Sequence, residues 1–112
     1  MTVKDISEAL NLKVCSGHNG LDNEVTGGYT SDLLSDVMGN APAGAVWITL
    51  QTHINTIAVA SLKDLAAIIL VKGLEPDANT ADKSNEENIP ILSTELQAFE
   101  ISGRLYNLIN KK

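Results

Sequence analysis

Three apolar segments of the 112-residue chain are each followed by small polar side chains whose chemistry suits ligand binding. Hydroxyl and amide groups bind anionic groups, as do the free backbone N–H groups at the start of a helix. Because ligands collect at the carboxyl ends of parallel strands, we expect a phosphate- or carboxylate-bearing metabolite to bind there. The residues that follow the three segments are Gln51, Thr52, His53 and Asn55, then Lys72 and Gly73, then Ser93 and Thr94.

A fourth candidate segment consists of Thr26, Gly27 and Gly28, although the pattern does not fix the direction of the strand that contains them. Two adjacent glycines more often form a turn or bulge that requires positive φ than a ligand-binding loop. The net charge of −6 opposes anion binding, and Lys72 is the one cation near the predicted site. Thr52 and Thr94 also suit helix caps, which is a purely structural role.

His53 could accept a phosphoryl group, act as a general base or bind a metal ion. It has no second His or Cys at a metal-ligand spacing, so the competing interpretation is a surface or capping residue. We therefore predict no metal site, no cofactor and no catalytic residue.

A strand, a helix and a second strand hold most of these side chains in place. Residues 45–50 read as a buried strand containing Trp47, and residues 66–71 read as another. Between them, one helical stripe predicts a helix over residues 54–65, and the alternative is a continuous hairpin. The residues of this stripe are Ile54, Ile57, Ala58, Leu62 and Leu65. This βαβ unit requires parallel strands and a right-handed crossover.

Shorter elements flank this unit. We expect a first helix capped by Thr2, a strand over residues 12–16, another over residues 25–30 and a fourth over residues 89–93. The polar residues 78–88 fit either a weak helix that buries only Ala78 and Ala81, or a partly ordered loop. The fold class is a single α/β domain, residues 1–112, with a short, mostly parallel sheet and helices on both faces.

The last helix is expected to begin at Thr94-Glu95 and to bury an apolar face that includes Phe99 and Leu105. Packing against Phe99 is the expected role of Tyr106.

Composition excludes several functions. An acidic chain with a pI near 4.7 is poorly suited to nucleic acid or to an anionic membrane. The sole cysteine, Cys15, cannot form an internal disulfide, which favours the cytoplasm. We interpret Cys15 as a core or interface residue.

Several of these segments resemble the DRTGG domain, which is similar to the N-terminal domain of HPr kinase/phosphorylase. The resemblance is carried by the order of Val25-Thr26-Gly27-Gly28, Gly73, Ile89-Pro90-Ile91-Leu92 and Gly103-Arg104-Leu105. It covers about residues 2–109. Glu24-Val25 stand where the motif that names the family has Asp-Arg, so no role of that pair is carried over.

The resemblance implies an α/β domain with a mostly parallel sheet, often dimeric. Such domains occur fused to CBS or phosphotransacetylase modules, or alone, sometimes encoded beside iron-only hydrogenases. Regulation or ligand sensing is their usual interpretation. The chain lacks Gly-x-x-x-x-Gly-Lys-Ser/Thr, so kinase activity is not implied.

These observations favour a non-catalytic regulatory or ligand-sensing module that forms a homodimer. The alternative is a docking subunit without a small ligand, for a larger enzyme such as an iron hydrogenase system. A third hypothesis is an enzyme or phosphocarrier that uses His53.

Overall fold

The computed structural model describes residues 1–111, which form one five-stranded sheet with helices on both faces. The strands lie in the order β1-β5-β4-β3-β2, with β1 antiparallel to β5 and all other neighbours parallel. The mostly parallel α/β architecture predicted from the sequence is therefore confirmed. The strands are β1 (Lys13–Ser16), β2 (Gly27–Thr30), β3 (Ala45–Thr49), β4 (Ala67–Leu70) and β5 (Ile91–Ser93). The helices are α1 (Val3–Ala9), α2 (Leu34–Asn40), α3 (Asn55–Leu62), α4 (Ala78–Glu87) and α5 (Ala98–Ile109), with a short 3₁₀ helix at His18–Gly20.

The predicted βαβ unit is β3, α3 and β4, and the segment between the strands is a helix and not part of a hairpin. The prediction that Ala58 and Leu62 lie on its buried stripe is wrong, because both are exposed. Every residue of β3 and of β4 is buried, as both faces of a central parallel sheet require. Trp47 is fully buried, and its indole N–H donates to the Ser31 carbonyl oxygen at 2.7 Å. The unit therefore forms the centre of the core.

Two apolar layers lie on opposite faces of the sheet. Helices α1 and α5 cover one layer, where Ile6, Ile101 and Leu105 meet the strands. Helix α3 covers the other layer, where Ile57 packs near Trp47. Thr2 caps α1, as predicted, and it forms a capping box with Asp5. This reciprocal bonding holds the pKa of Asp5 below its usual value, chiefly through the backbone N–H of Thr2.

Residues 78–87 form a helix, which decides between the two alternatives for this segment. The prediction that Ala78 and Ala81 face the core is wrong, because Thr80 and Ser84 are the buried residues of α4. The Ser84 hydroxyl donates to the Ile89 carbonyl oxygen at 2.8 Å and lies 2.8 Å from the Ser16 hydroxyl. The helix therefore packs through satisfied hydroxyl groups, which an apolar periodicity does not register.

The last helix begins later than predicted. It starts at Ala98 after Gln97, so the prediction that Thr94-Glu95 opens it is wrong. Phe99, assigned to the buried face, is 82% exposed, and Tyr106 is 69% exposed. Ile101 and Leu105 are the buried residues of α5, and Phe99, two residues before Ile101, lies on the opposite side of the helix. The predicted packing of Tyr106 with Phe99 in the interior is therefore also wrong.

Candidate functional site

Three of the four predicted segments lie together at the carboxyl ends of the parallel strands. Because β3, β4 and β5 are parallel, Gln51–Asn55, Lys72–Gly73 and Ser93–Thr94 all follow the carboxyl ends of neighbouring strands. Thr26 and Gly27 lie at the opposite, amino-terminal ends of the strands, since β2 is parallel to β3 and Gly27 is in register with Ala45. The fold therefore brings together three of these segments and separates the fourth.

Hydrogen bonds within the fold occupy most of the 51–55 segment. The Gln51 side-chain amide donates to the Asp32 carbonyl oxygen at 2.9 Å, and the Thr52 hydroxyl donates to the Asp77 carboxylate at 3.1 Å. The N-cap residue of α3 is Ile54, so the predicted capping role of Thr52 is wrong. These bonds fix the turn and tie it to the start of α4.

His53 is exposed and belongs to the same turn. Its Nδ1 accepts a hydrogen bond from the backbone N–H of Asn55 at 3.1 Å. Within residues 1–111, His53 does not belong to any group of three or more His, Cys, Asp or Glu side chains that could hold a metal ion. Its observed contact is therefore that of a local capping residue.

The loops after β4 and β5 are joined to each other. Lys72 and Gly73 both have positive φ, and their N–H groups donate to the carbonyl oxygens of Leu96 and Thr94 at 2.9 and 2.8 Å. The Ser93 hydroxyl donates to the Leu74 carbonyl oxygen at 3.0 Å. These amides are engaged within the fold, which leaves side chains as the groups available to a ligand here.

A groove of about 350 Å³ lies beside these loops, between the end of α1 and α5, and we call it the carboxyl-end groove. It contains two of the predicted residues, Ser93 and Thr94, together with two cations, Lys13 and Arg104, and one acidic residue, Glu95. The Thr94 hydroxyl oxygen accepts from the Leu96 N–H at 3.2 Å and keeps its own proton for donation. Thr94 therefore supports this loop and is not the cap of α5.

Both cations of the carboxyl-end groove have carboxylate neighbours. Lys13 Nζ lies 2.9 Å from Glu75, and this hydrogen bond and charge raise the pKa of Lys13. Arg104 lies 4.0 Å from Glu100, one helical turn away. All four side chains are exposed to solvent by half or more, so these pairs are weak and exchangeable.

The sequence analysis did not identify Lys13 or Arg104 as site residues. Lys13 reaches the carboxyl end of the sheet because β1 is antiparallel to β5, which places it opposite Ser93. The strand pattern of residues 12–16 carries no signal for that direction. A cation at the start of a short edge strand was the available clue.

Thr26, Gly27 and Gly28 line a second groove, of about 290 Å³, between the β2 edge and the second half of α5. We call it the edge groove. Gly27 and Gly28 are regular strand residues without positive φ, so the interpretation as a turn or bulge is wrong. A Cβ atom on Gly28 would lie 3.1 Å from Leu105, whereas one on Gly27 would meet nothing within 4 Å.

The remaining candidate residue, Cys15, is half-buried on β1. Desolvation raises the pKa of its thiol, followed in effect by the charge of Glu75. A raised pKa keeps the less reactive thiol form, which argues against a nucleophile. Within residues 1–111, no helix has the length and apolar character needed to cross a membrane.

No protein-family model and no curated protein matches the chain by sequence. Among solved structures, it resembles the CBS and DRTGG domains of the regulatory region of Clostridium perfringens pyrophosphatase, complexed with the activator diadenosine tetraphosphate. The TM-score is 0.70 at 13% identity, over 94% of this chain and 45% of that chain.

This likeness shows that the chain has a DRTGG-like α/β fold, which confirms the prediction made from the order of its motifs. The chain spans less than half the length of the pyrophosphatase region that it matches. At this level of identity the comparison concerns the fold, and site residues are argued from this chain's own geometry.

Proposed function

We propose that this chain is a non-catalytic regulatory module that binds a phosphate- or carboxylate-bearing metabolite in the carboxyl-end groove. The observation that carries the proposal is the convergence of Lys13 and Arg104 on the groove that holds Ser93 and Thr94. Two cations and a hydroxyl donor provide what a phosphate group needs. The strand ends of an open parallel sheet are also where such folds bind ligands.

Cations distinguish this groove from the other two, because Lys13 and Arg104 outnumber its one acidic lining residue, Glu95. In a chain of net charge −6, an anion is repelled from most of the surface. A third groove, at the amino-terminal side of β4, is lined by Glu24, Asp64 and Glu87 and by no cation. The edge groove likewise has no charged residue in its lining.

Binding can be coupled to the rest of the fold through Lys13. Its exposed pair with Glu75 joins β1 to the segment that leads into α4. A phosphate that replaces Glu75 as the partner of Lys13 releases this cross-connection. Because the pair is exposed and weak, the exchange opposes binding only slightly.

The ligand class is open to a direct test. Diadenosine tetraphosphate accompanies the pyrophosphatase regulatory region, which makes phosphate-rich nucleotides the first probes. Thermal unfolding of the chain is measured with diadenosine tetraphosphate, ATP, acetyl phosphate and citrate. A ligand at 100 times its Kd adds about 2.7 kcal/mol, which raises Tm by several degrees in a domain of this size.

Variants locate the site. Lys13→Gln and Arg104→Gln are expected to remove most of the rise in Tm, and Thr94→Val to reduce it. Lys83→Gln is the matched control, because Lys83 is an exposed cation on α4 that pairs with Glu86 and lies outside the groove. A rise in Tm that the groove variants leave unchanged, or the absence of any rise, contradicts the proposal.

We further propose that the module is a homodimer. A second candidate function is docking onto a larger enzyme without a small ligand, favoured by the exposed Phe99 and Tyr106 of α5. Such a docking protein would show no rise in Tm with any probe, and Phe99→Ser would abolish its binding to the enzyme.

A further inference from the structure

The acidic residue of the carboxyl-end groove has a defined position. Glu95 lies in the loop after β5, and its carboxylate folds over Gly73 in the loop after β4. A Cβ atom on Gly73 would lie 2.7 Å from Glu95 Oε2 and 3.2 Å from Glu95 Oε1. The missing side chain of Gly73 therefore leaves the space that this carboxylate occupies.

Glu95 does not pair with either cation of the groove. Among the residues that the structure describes, Lys13 and Arg104 pair with other carboxylates, and Glu95 belongs to no ion pair. Its side chain is exposed, so both carboxylate oxygens can accept hydrogen bonds from a molecule in the groove. An ionised carboxylate has no proton to donate, and it repels other anions.

The two cations and this acceptor come from different elements around the end of β5. Lys13 belongs to β1, whereas Gly73, beneath the Glu95 carboxylate, follows β4. Strands β1 and β4 are the two neighbours of β5, on its opposite sides. Arg104 belongs to α5. The carboxyl-end groove therefore offers positive charge and, separate from it, a hydrogen-bond acceptor.

We infer that the ligand is a phosphorylated sugar, free or within a ribonucleotide, and that Glu95 selects it by accepting hydrogen bonds from its hydroxyl groups. The selection rests on the proposed function, because it requires a phosphate bound by Lys13, Arg104 and Thr94. Two vicinal hydroxyls can donate to the two oxygens of one carboxylate. An acidic side chain binds the ribose in the same way in dinucleotide-binding folds. Anions without a hydroxyl group meet only the repulsion of Glu95.

Two nucleotides that differ only in their sugar hydroxyls test this selection. AMP and 2′,3′-dideoxy-AMP are titrated into the full chain, and isothermal titration calorimetry gives the two dissociation constants. AMP should bind about tenfold more tightly, because the dideoxy form loses hydrogen bonds to a charged group. Ribose 5-phosphate distinguishes the two sources of the sugar phosphate. Binding as tight as that of AMP assigns the free sugar phosphate, and weaker binding assigns the nucleotide.

Variants assign the preference for AMP to Glu95. Glu95→Gln should reduce the ratio of the two dissociation constants to about twofold, since an uncharged amide accepts weaker hydrogen bonds. Binding of 2′,3′-dideoxy-AMP should stay the same or become tighter, because a repulsive charge is removed. Glu86→Gln is the matched control: it removes the same charge from an exposed carboxylate on α4, outside the groove, and should leave the ratio unchanged. Unchanged circular-dichroism melting curves show that each variant remains folded.

The outcomes separate this selection from the proposed function. Equal binding of AMP and 2′,3′-dideoxy-AMP overturns the selection and leaves the phosphate site in place. Binding of acetyl phosphate without binding of AMP or ribose 5-phosphate does the same. A preference for AMP that persists in Glu95→Gln overturns the role of Glu95. If no probe binds the wild-type chain, the proposed function and the selection are both overturned.

Discussion

At the scale of single residues, adjacent glycines on β2 have different surroundings. Gly28 lies beneath Leu105 of α5, whereas the space beyond Gly27 is open toward the edge groove. The sequence shows only that two glycines occur together. The packing that separates their roles depends on a helix more than 70 residues away, so no local pattern could reveal it.

Alanine substitutions should distinguish these two glycines. We expect Gly27→Ala to leave stability unchanged or raise it by about 0.5 kcal/mol, because alanine lowers the backbone entropy of the unfolded chain. Gly28→Ala should lower the free energy of unfolding by about 1 kcal/mol or more, since Leu105 must move within a packed layer. Urea unfolding of the pair measures the difference, and equal effects would contradict the packing described.

Asp36 provides a residue-scale prediction about pH. Hydrogen bonds from the side chains of Ser31, Tyr29 and Asn40 hold the pKa of Asp36 below its usual 3.8, with Ser31 contributing most. The Tyr29 hydroxyl donates to Asp36 Oδ2 at 2.9 Å. Since the pKa is lowered on folding, the resulting stabilisation is present above pH 3.8 and is lost as the pH falls through the folded-state value.

Tyr29→Phe should therefore move the pKa of Asp36 upward toward its usual value and reduce the loss of stability in acid. An NMR titration of the Asp36 carboxyl carbon measures the shift directly. Tyr106→Phe is the control, because Tyr106 is exposed on α5. An unchanged Asp36 titration in Tyr29→Phe would contradict the assigned cause.

At the scale of elements, α4 shows how a polar helix can be part of a folded domain. It buries Thr80 and Ser84, whose hydroxyls donate to the carbonyl oxygens of Thr52 and Ile89, both at 2.8 Å. Because these bonds satisfy the buried groups, burial brings little penalty. A search for apolar periodicity cannot distinguish such a segment from a loop, because its buried residues are polar.

Ser84→Ala should lower the free energy of unfolding by about 1–3 kcal/mol, since the Ser16 hydroxyl and the Ile89 carbonyl group each lose a partner. Chemical denaturation measures this change. Asp82→Ala, at an exposed position on the same helix, should stay within about 0.5 kcal/mol of wild type. Equal effects of the two substitutions would show that the buried hydroxyl network contributes nothing.

The contrast between α3 and α5 shows what the sequence could reveal about elements. Helix α3 was predictable because a crossover must connect two parallel apolar strands. Its buried face was not, since Thr56 and Val59 are buried while Ala58 and Leu62 of the predicted stripe are exposed. Helix α5 was mispredicted at its start, because Thr94 and Glu95 look like a capping segment while Gln97 is the residue before the helix. The buried face was also misassigned, because it is centred on Ile101 and Leu105 and leaves Phe99 on the exposed side.

At the scale of the whole molecule, the candidate site is a product of topology. The sequence was enough to place the carboxyl ends of β3, β4 and β5 on the same side of the sheet, because parallel strands run in the same direction. The antiparallel direction of β1 could not, and it is this direction that sets Lys13 beside Ser93. Residues 80 positions apart in the chain thus form one groove.

The central claim is that the carboxyl-end groove binds a phosphate-bearing metabolite. The most direct test is an NMR titration of the ¹⁵N-labelled full chain with diadenosine tetraphosphate, followed through the backbone amide signals. We predict saturable shifts concentrated at Lys13, Thr94, Leu96 and Arg104, and their loss in Arg104→Gln. Signals that stay unchanged, or shifts confined to Gly27 and Gly28 in the edge groove, would contradict the account.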